Sequence, residues 1–309
     1  MIPLVTIEGP TASGKSRLAL ELASVLETEI ISADSRQVYR GMDIGTAKAS
    51  SEEQKRVPHH LIDIVEPSES YNVGRFCVDA ARVIEALWSR GKIPLICGGT
   101  GLYVDALFTG LFEEIEVPPE LREGLSQRLQ SEGLEVLYDE LTRTDPGFAA
   151  KVSVNDRQRV LRGLEVFLAS GISISEHWQK QSRKEAYTAF RILINPPRET
   201  LYERINARVL QMLENGLLEE IKTLFARGFG PESPGLNSVG YKEYFPHLLG
   251  SAPLQDCVEL AAQHTRNYAK RQCTWYRKYW FDLTLASPEC IISEIASQIE
   301  AWQKTIQTR

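Results

Sequence analysis

Gly9-Pro10-Thr11-Ala12-Ser13-Gly14-Lys15-Ser16 fits the phosphate-loop pattern G-x-x-x-x-G-K-[ST]. Successive backbone N–H groups ahead of a helix N-terminus make an anion site. Lys15 adds a point charge for a terminal phosphate, and the Ser16 hydroxyl is a ligand for Mg²⁺. The pattern asks only for a phosphate. A diphosphate on any molecule suits the same cradle, and a glycine-rich turn packing a strand on a helix is the plainer alternative. No plain Walker-B strand follows. Leu61-Ile62-Asp63-Ile64 comes nearest, and its Asp63 reads as structural rather than as a Mg²⁺ partner.

Asp34 follows the apolar run Ile30-Ile31-Ser32-Ala33. Ligands of open parallel sheets sit outside the carboxyl ends of the strands, so Asp34 is expected to face the phosphate loop. A carboxylate there can take a proton from an incoming nucleophile. A turn Asp after a strand is the common alternative, but Ser35, Arg36, Gln37 and Tyr39 crowd the same stretch. Further on, residues 264–280 hold Arg266, Lys270, Arg271, Arg277 and Lys278 and no acidic residue. Trp275, Tyr276 and Tyr279 interleave with them, and at helical spacing some of these aromatics belong to the core.

These residues need strands alternating with helices. The spacing predicts strands over 2–8, 29–33, 93–97 and 188–195, with a further apolar segment over 60–65. Helices are predicted over 16–26 and 73–90. The alternation implies right-handed βαβ units and a parallel sheet. Between about 118 and 183 the pattern turns helical, over 120–130, 134–143 and 156–169. A long amphipathic helix over 199–227, interrupted near Gly216, and a second over 254–279 complete the chain. The expectation is an α/β phosphate-loop core with helices on both faces, built from 1–117 and 186–309. An inserted helical domain occupies 118–185.

The chain has 309 residues, 43% hydrophobic and 25% charged, with a net charge of −6. That suits a folded chain of about two domains and excludes a disordered or collagen-like one. The acidic balance hides the basic segment, so nucleic acid is not excluded. Cys77, Cys97, Cys257, Cys273 and Cys290 are odd in number and unpaired in spacing, which argues against a disulfide framework or zinc ribbon. The adjacent His59 and His60 would point to opposite faces of a strand. With no apolar run of membrane length and no leader-like N-terminus, a cytoplasmic location is expected.

Gly9–Ser16, Asp34-Ser35-Arg36-Gln37-Val38-Tyr39 and Gly41-Met42-Asp43-Ile44-Gly45-Thr46-Ala47-Lys48 together resemble the tRNA dimethylallyltransferases, or tRNA isopentenyltransferases. Pro58-His59-His60-Leu61, Gly98-Gly99-Thr100-Gly101-Leu102-Tyr103, Asn155-Asp156-Arg157-Gln158-Arg159 and Tyr268-Ala269-Lys270-Arg271-Gln272-Cys273-Thr274-Trp275 extend the likeness along nearly the whole chain. The resemblance is to the bacterial type, without the C-terminal zinc finger of eukaryotic relatives.

The resemblance implies transfer of a dimethylallyl group from dimethylallyl diphosphate to N6 of adenosine 37 in the anticodon loop. It implies the phosphate loop as holder of the diphosphate with Mg²⁺, and Asp34 as general base. It further implies Gln37 in reading the flipped adenine, Thr100 lining the channel where donor and acceptor meet, and Arg208 reaching the diphosphate. Arg204 is a lesser candidate for that last role. For tRNA it implies Asp34, Ser35, Arg36, Gln37 and Thr100. It also implies Arg122 and the stretch Gln158-Arg159-Val160-Leu161-Arg162, with Arg266, Lys270 and Arg271 neutralising phosphates. A monomer is expected, since two domains can clamp one tRNA arm. Two other functions use the same loop: a small-molecule kinase and a nucleotide-switched RNA-binding protein. Neither accounts for both the basic helix and Asp34.

Overall fold

The computed structural model of the protein describes residues 1–111, 115–180, 186–289 and 292–307. Cys290 lies outside the described residues. The chain divides into two units, one of Met1–Phe108 with Glu185–Arg309 and one of Thr109–Lys184. The helical unit thus begins at Thr109, ahead of the expected Pro118.

In the larger unit, β1 (Ile2–Glu8) leads through the phosphate loop into α1 (Lys15–Val25). Next come β2 (Ile30–Ser32), α2 (Ser51–Arg56) and β3 (His59–His60). Ser50 and Glu53 form a reciprocal capping box at the start of α2. α3 (Val73–Ser89) is capped by Asn72, whose side chain accepts from the Arg75 amide. β4 (Leu95–Gly98) and α4 (Gly101–Thr109) then lead out of the unit.

The helical unit contains α5 (Pro119–Glu132), α6 (Leu134–Thr144), α7 (Pro146–Ala149), α8 (Arg157–Ser170) and α9 (Ile174–Lys180). Its core is Leu125, Leu137, Leu141, Val160 and Leu164 with their neighbours. Asp156 caps α8 by accepting from the Arg159 amide, and Gly171 ends it in the left-handed region.

The chain returns as β5 (Tyr187–Ile194), α10 (Arg198–Glu214) and α11 (Leu217–Ala226). Gly216, at φ 97°, breaks the long helix where its sequence predicts a break. A 3₁₀ turn (Lys242–Tyr244), α12 (Phe245–Leu248), α13 (Leu254–Tyr276), β6 (Leu283–Leu285) and α14 (Ile292–Gln307) follow. α13 stops short of residue 279, its expected end.

The six strands form one parallel sheet in the order β3-β2-β4-β1-β5-β6. Alternate strand residues serve opposite faces. Leu4, Ile31 and Ile96 pack with α3 residues such as Phe76 and Ile84. Val5, Ile7, Ile30, Leu95 and Cys97 pack with α1 and α14. Because every strand points the same way, the loops after β1, β2 and β4 leave from one edge. The expected segment over 60–65 yields only His59–His60, because Leu61 and Asp63 take positive φ and turn the chain away.

Beneath β2, the buried Glu29 carboxylate meets Arg90 at 2.9 Å, Lys92 at 2.8 Å and His60 at 2.7 Å. Burial pushes its carboxyl up, but the hydrogen bonds from Arg90, Lys92 and His60 outweigh it and hold it at about 2. A depressed carboxylate stabilises the fold above its ordinary range, and that stability is lost as pH falls toward 2. Glu29→Gln is therefore expected to destabilise by on the order of 2 kcal/mol at pH 7. Acid melts should show the two proteins converging as the pH approaches 2.

Candidate active site

The phosphate loop follows from a strand that ends at Glu8 and a helix that begins at Lys15. Gly14 sits at φ 95° and offers α1 no side-chain cap. Among the described residues, nothing in the protein accepts from the amides of Gly14, Lys15 and Ser16. A helix start with open amides is a site for an anion. Ser13 Oγ is buried in the loop without a hydrogen-bond partner, a second sign that the cradle is built for a polar guest.

Glu8, just before the loop, is 1% exposed and pairs with Arg191 of β5 through two hydrogen bonds of 2.9 and 3.0 Å. Thr6 Oγ1 donates to the same carboxylate at 3.0 Å. The Arg191 guanidinium lies over the rings of Phe281, Tyr279 and Phe108. This bidentate pair ties the ends of β1 and β5 together at the base of the loop.

Lys15, Ser16, Asp34, Gln37 and Gly98 line one cleft at the C-terminal edge of the sheet. Lys15 Nζ donates to the Pro10 carbonyl at 3.4 Å. Burial pulls the Lys15 ammonium below its ordinary range and Arg208 adds to this, while Cys97 and Asp34 oppose it. Arg208 of α10 is likewise pulled down by burial and supported by Asp34. Two partly desolvated cations facing one carboxylate make a locus that an anion would relieve. Arg204, one turn earlier, reaches the Ser13 carbonyl at 3.4 Å.

Asp34 Oδ1 accepts from the Arg36 amide at 2.8 Å, which fixes the turn after β2. Thr100, after β4, reaches the same turn: its Oγ1 accepts from the Ser35 amide at 3.1 Å. Arg36 donates to the Pro234 carbonyl at 3.0 Å. Gln37 Oε1 accepts from Ser32 Oγ at 2.9 Å, and its Nε2 donates to the Thr46 and Ala47 carbonyls. Both amide protons are therefore occupied, and one Oε1 lone pair is left to receive a donor. Asp63 is held at 2.5 Å by the enclosed Lys48 ammonium and has the structural place its sequence suggests.

The candidate residues of the helical unit sit on α5 and α8. Arg122 is exposed on α5, and Gln158, Arg159 and Arg162 lie on the first turns of α8 with their side chains at least partly in solvent. Val160 is a correction. It is 0% exposed, enclosed with Leu137, Leu141 and Leu164, and its side chain has no surface to give to RNA. Leu161 is partly buried against the same core. On α13, Lys270 and Arg271 are exposed, and Arg266 Nη1 donates to Asn206 Oδ1 at 2.6 Å. Of the interleaved aromatics, Tyr276 is core at 3% exposure, whereas Trp275 and Tyr279 are half-buried and tilted against each other.

Gln272, Tyr268 and Tyr276, all on α13, also reach the site. Gln272 hydrogen-bonds the Thr11 amide and the Gly99 carbonyl, and the Tyr268 hydroxyl lies beside Thr100. Burial pushes the Tyr268 hydroxyl up to about 12, so it stays protonated. No spacing signal marks these residues beyond their positions i, i+4 and i+8 on one helix face.

Ser16 is exposed at the mouth of the cleft. Among the described residues, no group of three or more His, Cys, Asp or Glu could hold a metal ion. A Mg²⁺ ion carried on phosphate oxygens and one protein hydroxyl fits that donor set, since Mg²⁺ needs few protein ligands. No helix, among the described residues, is long and apolar enough to cross a membrane.

Comparison with known proteins agrees with the geometry. The family model described as IPP transferase matches residues 37–279. The tRNA dimethylallyltransferase of Macrococcus caseolyticus is 42% identical over 302 residues, covering 96% of each chain. That of Bacillus subtilis is 42% identical over 287 residues, with 91% of each covered. Among solved structures, the tRNA isopentenylpyrophosphate transferase of Bacillus halodurans superposes with a TM-score of 0.73 at 37% identity, over the whole of both chains. A eukaryotic dimethylallyltransferase acting on tRNA gives a TM-score of 0.79 at 33% identity, over 93% of this chain and 74% of its own. Likeness at this level from end to end means that the chain belongs to the IPP transferase family, that of the tRNA dimethylallyltransferases.

Proposed function

We propose that the enzyme transfers the dimethylallyl group of dimethylallyl diphosphate to N6 of adenosine 37 in the anticodon loop of tRNA. The observation that carries this reading is the shared sheet edge. There an open anion cradle, the partly desolvated Lys15 and the carboxylate of Asp34 line one cleft, and the Arg208 cation lies within electrostatic reach of both side chains. The names of the relatives supply the donor group and the acceptor class.

The phosphate loop, Lys15 and Arg208 bind the diphosphate. Ser16 would hold Mg²⁺, which would supply further neutralisation of the leaving group. The N6 lone pair attacks the allylic carbon, and the carbon–oxygen bond breaks with its electron pair leaving on the diphosphate. Negative charge thus develops where donors are already oriented, which lowers the barrier. Asp34 takes the N6 proton. An aromatic amine is a poor nucleophile and Asp a weak base, so proton transfer is late, after carbon–nitrogen bonding has begun. Thr100, fixed to Ser35, borders the meeting point of the two substrates. The free lone pair of Gln37 suits an amino-group proton of adenine. The base must leave its stack to arrive there, at a cost of a few kcal/mol.

Incubation with Mg²⁺, dimethylallyl diphosphate and an unmodified anticodon stem-loop, followed by mass spectrometry of the RNA, tests the reading. One added dimethylallyl group on adenosine 37 is expected. An unchanged RNA with turnover of ATP would replace it with phosphoryl transfer. Stem-loop binding should weaken steeply with salt, since cations on α13 and α8 release counterions. Arg159→Ala should reduce the salt slope by about 1 and leave donor affinity unchanged. Loss of donor affinity with RNA affinity intact would remove α8 from the RNA surface.

A further inference from the structure

Gln272 sits in the basic half of α13, yet its side chain is 7% exposed and turned toward the donor site. Its Oε1 accepts from the Thr11 amide at 2.9 Å. Its Nε2 donates to the Gly99 carbonyl at 2.8 Å. The first partner is the third residue of the phosphate loop, and the second immediately precedes Thr100. One turn to either side, Tyr268 lies beside Thr100 and the Tyr276 hydroxyl donates to the Gly9 carbonyl at 3.4 Å. A single stripe of α13 therefore holds both loops of the site. Lys270, Thr274 and Arg277 line a cleft on another side of the same helix.

We propose that Gln272 is a positioning residue that sets the spacing between the diphosphate cradle and the turn bearing Thr100. The inference rests on the reading of this cleft as the donor site. Thr11 presents a half-buried donor and Gly99 a buried acceptor, so the bridging side chain must accept at one end and donate at the other. A carboxamide does this in one orientation. A carboxylate satisfies Thr11 but repels the Gly99 carbonyl. A neutral carboxylic acid satisfies both. The fit is close: a Cβ on Gly99 would lie 2.5 Å from Gln272 Nε2. Gly99 must stay bare for the bridge to form.

The test compares the full chain with Gln272→Met and Gln272→Glu in three measurements: calorimetric binding of inorganic diphosphate with Mg²⁺, stem-loop binding, and steady-state transfer. Gln272→Met should weaken diphosphate binding and raise the donor KM about tenfold or more, because the Thr11 amide and the Gly99 carbonyl both lose their partner. Stem-loop affinity should not change, because the basic residues keep their helix. Activity of Gln272→Glu relative to the unmodified enzyme should rise as pH falls from about 8.5 to about 6, because protonating the buried carboxyl restores both hydrogen bonds.

A parallel loss of diphosphate and RNA affinity would mean a deformed helix and overturn the proposal. So would unchanged diphosphate binding, or a flat pH ratio for Gln272→Glu. Should Gln272→Met not fold, the pH series of Gln272→Glu decides. Failure of the unmodified enzyme to transfer the group would remove the donor reading instead, and the diphosphate titration would still judge the bridge.

Discussion

Asp34→Asn lowers the transfer rate by about 10²–10⁴-fold, the range for loss of a general base. Asn is the sharpest probe because Oδ1 of either residue can accept from the Arg36 amide, now at 2.8 Å. The turn after β2 and the Ser35–Thr100 contact it supports stay in place. What disappears is the negative charge and the proton acceptor. Asp34 also supports the charged forms of Lys15 and Arg208. Its removal leaves the cradle more positive overall, so affinity for a diphosphate should hold or improve. The expected signature is a fallen kcat with a donor KM that does not rise, and stem-loop affinity within about threefold, a change under about 1 kcal/mol. Single-turnover rates with saturating donor read this directly. A rate within about tenfold of the unmodified enzyme would remove Asp34 as base and leave it the turn Asp that its position also allows.

Much of this site is legible in the residues alone. The phosphate loop is local: its glycines, lysine and hydroxyl lie within eight consecutive residues, Gly9–Ser16, between a strand and a helix. Asp34 and Thr100 can be placed because parallel strands send their C-terminal loops to one edge. Buried strands β1, β2, β4 and β5 read as apolar runs because both faces are covered. What cannot be read depends on partners distant in sequence. Gln272 looks like any polar residue in an amphipathic helix until Thr11 and Gly99 are folded against it. Glu8 reads as the last residue of a strand, and its burial is explained once Arg191 of β5 is folded against it. Val160 shows the converse, since membership of a basic stretch conceals a core position.

The departures at element level have physical causes as well. β6 is three residues long and half-exposed, so it carries little periodic signal. Leu61 and Asp63 adopt positive φ without being glycine, and the apolar segment there turns instead of extending. α14 has a usable signal. Ile292, Ile295, Ala296, Ile299 and Trp302 recur at helical spacing and pack against the α1 side of the sheet. Ser50 and Glu53 announce α2 in the same way, through a capping box three residues apart.

Lys15→Met is expected to slow transfer by about 10²–10³-fold, the cost of removing one oriented donor from a developing anion. It should also weaken Mg²⁺-diphosphate binding, which separates it from Asp34→Asn. The argument turns on the state of Lys15 before the donor arrives. Burial and the neighbouring Arg208 oppose its charge, and the Pro10 carbonyl at 3.4 Å is a weak partner. The ammonium is thus incompletely satisfied until phosphate oxygens reach it, so its interaction energy is held for the bound and reacting donor. Met keeps most of the side-chain volume, and removing a disfavoured charge from the donor-free protein should leave thermal stability equal or higher. Lys15→Arg is not a rescue. A planar fork cannot act as a compact point charge. Stopped-flow single turnovers and a melt on the same three proteins check all parts. A raised melting temperature with a lost rate would mark Lys15 as a residue kept for the leaving diphosphate at the expense of the fold. A lowered melting temperature with an intact rate would make it structural and move the task of meeting the leaving group to Arg208.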